Sequence, residues 1–281
     1  MHSREPRTAR RVLFGALVLA FACGAVLVHW LRRVPRFEYS ARTLSSADYR
    51  ALGSEGGFKV RAIDVGEGIS LRGIERLPAD GGQPGVLLFE GNSAHLLADG
   101  QRFLGRLLKG RGWGGAVFAY RGFDGNEGIP GPEALERDAF KVYAQIKRDW
   151  QLPASRIHLV GFSLGTSVVA AIAARSRDEP PGSVTLLAST TRLDMVPPGG
   201  GSRQRYETLK YLDAFASPVL VVHGRRDQVL PVEGGRTIAA KLGDRARYVE
   251  DPGLGHHDLH ESRSVTDRVR AFVDAHDRGG N

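Results

Sequence analysis

The chain has 281 residues, 42% hydrophobic and 25% charged, an ordinary globular composition that excludes a disordered or fibrous protein. Its single cysteine excludes a disulfide scaffold and a thiolate zinc cluster. The formal charge of +8 would suit nucleic acid, but residues 1–42 hold eight arginines against Glu5 and Glu38, a net of +6. Only about +2 is left for the rest, and no nucleic-acid partner is expected.

Residues 1–11 form a basic tail. Residues 12–31, from Val12 to Leu31, are a run of twenty without formal charge whose one strongly polar side chain is His29. As a helix this run would be about 30 Å long, the thickness of a bilayer core. Arginines flank both ends and Trp30 stands at an interfacial position, so the segment predicts a single-pass N-terminal anchor. Ala20-Phe21-Ala22 would suit signal cleavage, but the apolar run continues nine residues beyond it, and the residues before Cys23 fit lipid attachment poorly. Four arginines before the run and three after it lean toward a cytoplasmic N-terminus. The rest of the chain would then be extracytoplasmic, at the inner membrane of a bacterium if the excess of Arg over Lys reflects a GC-rich genome.

Residues 32–56 read as a connector and residues 57–279 as one α/β domain. Phe58–Ile63 and Ile69–Ile74 alternate apolar and polar residues, like two antiparallel strands. Five apolar runs follow: Gly85–Phe89, Gly115–Tyr120, Ile157–Val160, Val184–Leu187 and Pro218–His223. Such runs suit a parallel sheet covered on both faces. Helices are expected over Glu133–Trp150, Leu164–Arg175 and Val232–Leu242, and a last one is expected to start at an Asp258 cap with Glu261 as its box partner. Pro197–Ser202 is a flexible loop within a short cap region, Thr190–Ala216.

Gly161-Phe-Ser163-Leu-Gly165 is a G-x-S-x-G pentapeptide, a weak signal alone in a chain with 36 glycines. Its context is a strand before Ser163 and a small-residue helix after it, as a sharp strand-to-helix turn requires. A serine hydroxyl needs a base, and the base needs an orienting carboxylate. Asp227 follows the fifth apolar run and His256 precedes the last helix, so the chain order is Ser, Asp, His.

With these residues in place, the chain from about 58 to 277 resembles the α/β-hydrolase superfamily. It is most similar to single-domain serine hydrolases held to membranes by an N-terminal helix. The shared blocks are Glu90-Gly91-Asn92, Tyr120-Arg121-Gly122, the pentapeptide, His223–Pro231 and Gly253–Asp258. The resemblance implies an α/β-hydrolase fold: a mostly parallel central sheet, helices on both faces and a short cap. It also implies Ser163 as nucleophile, Asp227 as orienting acid, His256 as general base, and the backbone amides of Asn92 and Leu164 as oxyanion hole. There are two departures. Glu90 stands where the family carries His, placing a carboxylate near the oxyanion site that Arg121 or another base must neutralise. Asp124–Gly128 replaces a second Gly-x-Ser-x-Gly.

Asp194 is a rival for the acid. His257 and His260 are rivals for the base, with surface positions as their default. His95 is a weaker candidate for substrate contact. The cluster His256, His257, Asp258 and His260 has metal-site composition, but Asp258 is better used as a helix cap, so no metal and no cofactor are expected. The expected function is a membrane-anchored serine hydrolase cleaving an ester or thioester of a small-molecule or lipid-like acyl substrate. A serine peptidase and a non-catalytic binding protein on the same fold are the alternatives.

Overall fold

The structure, a computed structural model, describes residues 36–40, 44, 46–52, 56–80, 82–93, 95–197 and 200–277. The basic tail and the apolar run 12–31, with Cys23 and His29, lie outside the described residues. Among the described residues no helix is long and apolar enough to cross a membrane. Phe37–Asn281 forms one compact unit.

Two short elements come first, β1 (Arg36–Glu38) and α1 (Ser46–Leu52), both within the stretch read as a connector. An eight-stranded sheet follows. It consists of β2 (Lys59–Gly66), β3 (Ile69–Arg76), β4 (Gly85–Phe89), β5 (Gly114–Phe118), β6 (Ile157–Phe162), β7 (Ser183–Leu187), β10 (Val219–Gly224) and β11 (Ala246–Asp251). The spatial order is β11-β10-β7-β6-β4-β5-β3-β2. β2 and β3 pair antiparallel, as their alternation predicts, and β3 lies antiparallel to β5. The remaining pairs are parallel. Each of the five apolar runs is a strand buried along its whole length. That burial is why they lack alternation: both faces are covered. β11 went unforeseen because it is a half-exposed edge strand of sequence ARYVED, with no apolar run.

The helices are α2 (Leu96–Leu107), α3 (Pro132–Asp149), α4 (Leu164–Arg175), α5 (Glu233–Leu242), α6 (Asp258–Glu261) and α7 (Arg263–His276). On α3 the stripe Leu135, Ala139, Val142, Tyr143 and Ile146 is buried, with Trp150 just past its end. α4 is buried nearly all round, which its small residues permit. The last helix starts differently from expectation. Ser262 is the cap of α7, accepting from Val265 N, whereas the Asp258 carboxylate turns back to accept from Gly255 N at 2.7 Å. Asp258 stabilises the loop that carries His256 and leaves the capping to Ser262.

The cap region holds an antiparallel pair, β8 (Arg192–Val196) with β9 (Gln204–Glu207), followed by a helical turn at Thr208–Ala214. β1 adds to β8, giving a small second sheet of order β1-β8-β9. In the main sheet the chain passes from β4 outward to β5, then returns to the other side of β4 as β6. The strand order therefore reverses between β4 and β6, and α/β sheets open a crevice at the carboxyl ends of strands at such a point.

Candidate active site

Ser163 sits at that crevice, between β6 and α4. Its φ of 51° is unusual for a residue with a side chain, and marks the sharp strand-to-helix turn. The flanking glycines have a steric reason. A Cβ on Gly165 would lie 1.9 Å from Phe89 O, and one on Gly161 would lie 2.6 Å from Gly165 O. Helix and strand approach too closely there for any side chain.

The three residues singled out by chain order meet in space. His256 Nε2 lies 3.1 Å from Ser163 Oγ, and His256 Nδ1 lies 2.7 Å from Asp227 Oδ2. All three side chains are buried or nearly so. Asp227 Oδ1 also accepts from the amides of Val229 and Leu230, at 2.8 and 2.7 Å. His223, which sequence reasoning left without a role, brings Nε2 within 3.2 Å of Asp227 Oδ2. The available signal was its position four residues ahead of the acid. Burial works to raise the Asp227 carboxyl, but hydrogen bonds from His223 and His256 outweigh it and hold the group well below the usual carboxylate range. Asp227 is therefore ionised at neutral pH and holds the proton of His256 on Nδ1. Nε2 is left to accept from the serine.

The rivals fall away on geometry. Asp194 is buried in the cap hairpin, where Arg192 and Arg205 pair with it, remote from His256 in partner and element. His257 is exposed and stands edge-on to His256 at 5.2 Å. His95 precedes α2 and lines a different cavity from Ser163. His260 contradicts its expected surface position. It is buried, and its Nε2 lies 2.7 Å from Glu90 Oε1. This is the base that pairs with Glu90. Arg121 does not do so; its guanidinium forks onto Asp138 at 2.6 and 2.7 Å and reaches Glu67.

Gly91 packs against Ser163 so closely that a Cβ on it would lie 3.1 Å from Ser163 Cβ. Asn92 comes next, and its side chain is clamped at both ends. Ser40 N donates to its Oδ1 and its Nδ2 donates to Glu38 O, each at 2.7 Å. The segment from Phe37 to Ser40 is itself pinned by the buried Tyr39, whose hydroxyl donates to Gln204 Oε1 and meets Tyr206 Oη. Phe37, Glu38 and Ser40 thus share with Ser163 and His256 the lining of a cavity of about 610 Å³. Sequence reasoning missed these residues because they precede the first recognisable strand. Leu164, the first residue of α4, lies directly after Ser163 at a helix N-terminus, where backbone amides favour negative charge. Among the described residues no group of three or more His, Cys, Asp or Glu side chains is placed to hold a metal ion.

Sheet order, crevice and constellation define the α/β-hydrolase fold. Residues 198–277 match the family model of the TAP-like proteins, an α/β-hydrolase family. The uncharacterized protein Rv2307c of Mycobacterium tuberculosis is 27% identical over 271 residues, covering 92% of this chain and 93% of that one. The lysophosphatidylserine lipase ABHD12 of Danio rerio is 27% identical over 178 residues, covering 55% of this chain and 46% of its own. Among solved structures, a membrane phospholipase A described as a bacterial virulence factor superposes with a TM-score of 0.61 at 18% identity, covering 95% of this chain and 98% of that one.

Proposed function

We propose that the protein is a serine hydrolase that cleaves an ester or thioester of a lipid-like or small-molecule acyl substrate through a covalent acyl-enzyme. The observation that carries this reading is the continuous relay from Asp227 through His256 to Ser163, with both links at hydrogen-bond length. The serine Oγ attacks the acyl carbon as its proton passes to His256 Nε2. The oxyanion that develops is met by the amides of Asn92 and Leu164, each such donor being worth about 3 kcal/mol. His256 then protonates the leaving alcohol or thiol. Water, deprotonated by the same nitrogen, releases the acid and restores the serine. The ionised Asp227 stabilises the imidazolium formed in both halves.

The acyl-lipid direction is supported by the lipase and phospholipase names among the similar proteins and by Phe162, Leu193 and Met195 in the cavity lining. Residues 12–31 anchor the protein in the membrane, with the catalytic domain on the extracytoplasmic side. Their uncharged length and flanking arginines support this. The test is a panel of p-nitrophenyl esters of increasing acyl length, with thioester and peptide controls, on the wild type and Ser163→Ala. Hydrolysis of esters and thioesters that vanishes in the variant is expected. Cleavage of the peptide alone would overturn the reading in favour of a peptidase.

A further inference from the structure

One buried acidic group in the cavity lining is not used by the relay. Glu90 is 1% exposed and directly follows β4, in the segment that leads into the oxyanion turn. Its Oε1 meets His260 Nε2 at 2.7 Å, its Oε2 accepts from Gly91 N at 3.3 Å, and its backbone oxygen accepts from Tyr120 Oη at 2.8 Å. His260 belongs to α6, four residues after His256. Its ring packs on Phe162 and Phe103, with centroids 5.3 and 5.0 Å apart, and Phe162 packs on His256 at 5.1 Å. Arg106 of α2 donates to the backbone oxygen of His260. The pair therefore joins the segment bearing the general base to the turn bearing Asn92.

Resting on the hydrolase reading, we propose that Glu90 and His260 are a positioning pair that keeps the oxyanion turn electrically neutral and docks the His256 segment onto it. A buried carboxylate in the same cavity lining as Ser163 and Asn92 carries the same sign as a developing oxyanion, and in a low-dielectric site an uncompensated one would oppose the transition state. One proton shared between Oε1 and Nε2 leaves the pair neutral whichever atom carries it, provided Nδ1 keeps its own. The partner residue matters through its charge as well as its shape. The charged and titratable groups around the pair are His256, His257, Glu38, Glu261, Arg106, Tyr120 and the Asp99–Arg102 pair of α2. None of the others touches the Glu90 carboxylate among the described contacts, so His260 is the side chain placed to share a proton with it.

The test uses the full chain and p-nitrophenyl butyrate, with thermal midpoints to confirm folding. His260→Gln keeps a hydrogen-bond donor but removes the titratable ring, leaving Glu90 charged. It is expected to lower kcat at least tenfold with KM within twofold. Glu90→Gln alone keeps the contact without charge and should stay within threefold of wild type. Glu90→Gln in the His260→Gln background should recover most of the lost kcat, because the uncompensated charge is gone. A purely packing role predicts that the double variant is no faster than His260→Gln, and that result overturns the proposal. So does an unchanged kcat in His260→Gln. A wild-type chain that hydrolyses no ester overturns the hydrolase reading itself, and the role of the pair with it.

Discussion

Asp227→Asn tests the relay at its least exposed member. The carboxylate has four contacts, two to backbone amides through Oδ1 and two to histidines through Oδ2. An asparagine keeps the first two if its own oxygen faces Val229 and Leu230, so the turn survives. Its NH2 group then faces His256 Nδ1 and donates to it. The imidazole must answer with the tautomer protonated at Nε2, which cannot accept the proton of Ser163. His223 retains Leu230 O as an acceptor at 3.1 Å, so the loss of fold stability should be small, about 1 kcal/mol. The catalytic loss should be large. A wrong tautomer in this kind of relay costs about 10⁴ in kcat, equivalent to about 5.5 kcal/mol of transition-state stabilisation. The assay is kcat on p-nitrophenyl butyrate beside a thermal midpoint. A folded variant that loses less than about tenfold would refute the relay.

Asn92→Ala leaves the backbone amide in place but removes both side-chain bonds to the Glu38–Ser40 segment. At about 0.5–1.5 kcal/mol per bond the fold loses roughly 1–3 kcal/mol, and a displaced turn should lower kcat with KM little changed; equal kcat would show that the clamp does not set the turn. Asp124 offers a pH signature. Burial pushes its carboxyl up to about 6, against the hydrogen bond from Leu97 N. A group raised above its unfolded value, about 3.9, binds its proton more tightly when folded, so its contribution is present below that value and is lost as pH rises through about 6. Asp124→Asn, which tolerates the φ of 47°, should therefore raise the thermal midpoint at pH 8 and give no gain at pH 4. Equal shifts at both pH values would contradict the assignment.

The five buried strands and the relay were readable because each rests on a local signal. Continuous apolar runs mark strands covered on both faces, and Gly161 and Gly165 around Ser163 mark a turn with no room for side chains. Other features carried no such signal. α2 hides its stripe because the small Gly100 stands in it, although Leu97, Phe103, Leu104 and Leu107 are all buried. β11 is an edge strand, and its side chains alternate without an apolar face. The Glu90–His260 contact joins residues 170 apart in the chain, and the clamp on Asn92 joins residues more than fifty apart. Composition and spacing hold no information about such pairs until the sheet brings their ends together. Asp258 shows the converse: a sound local motif was overridden because the carboxylate has a nearer donor in Gly255 N.

The central claim is that Ser163 is a nucleophile made reactive by His256 and Asp227. It is tested most directly by reaction of the folded protein with a fluorophosphonate, followed by peptide mapping. The account predicts one adduct, on Ser163, and none in a folded Ser163→Ala variant. An unlabelled folded wild type, or an adduct on any other residue, would contradict it.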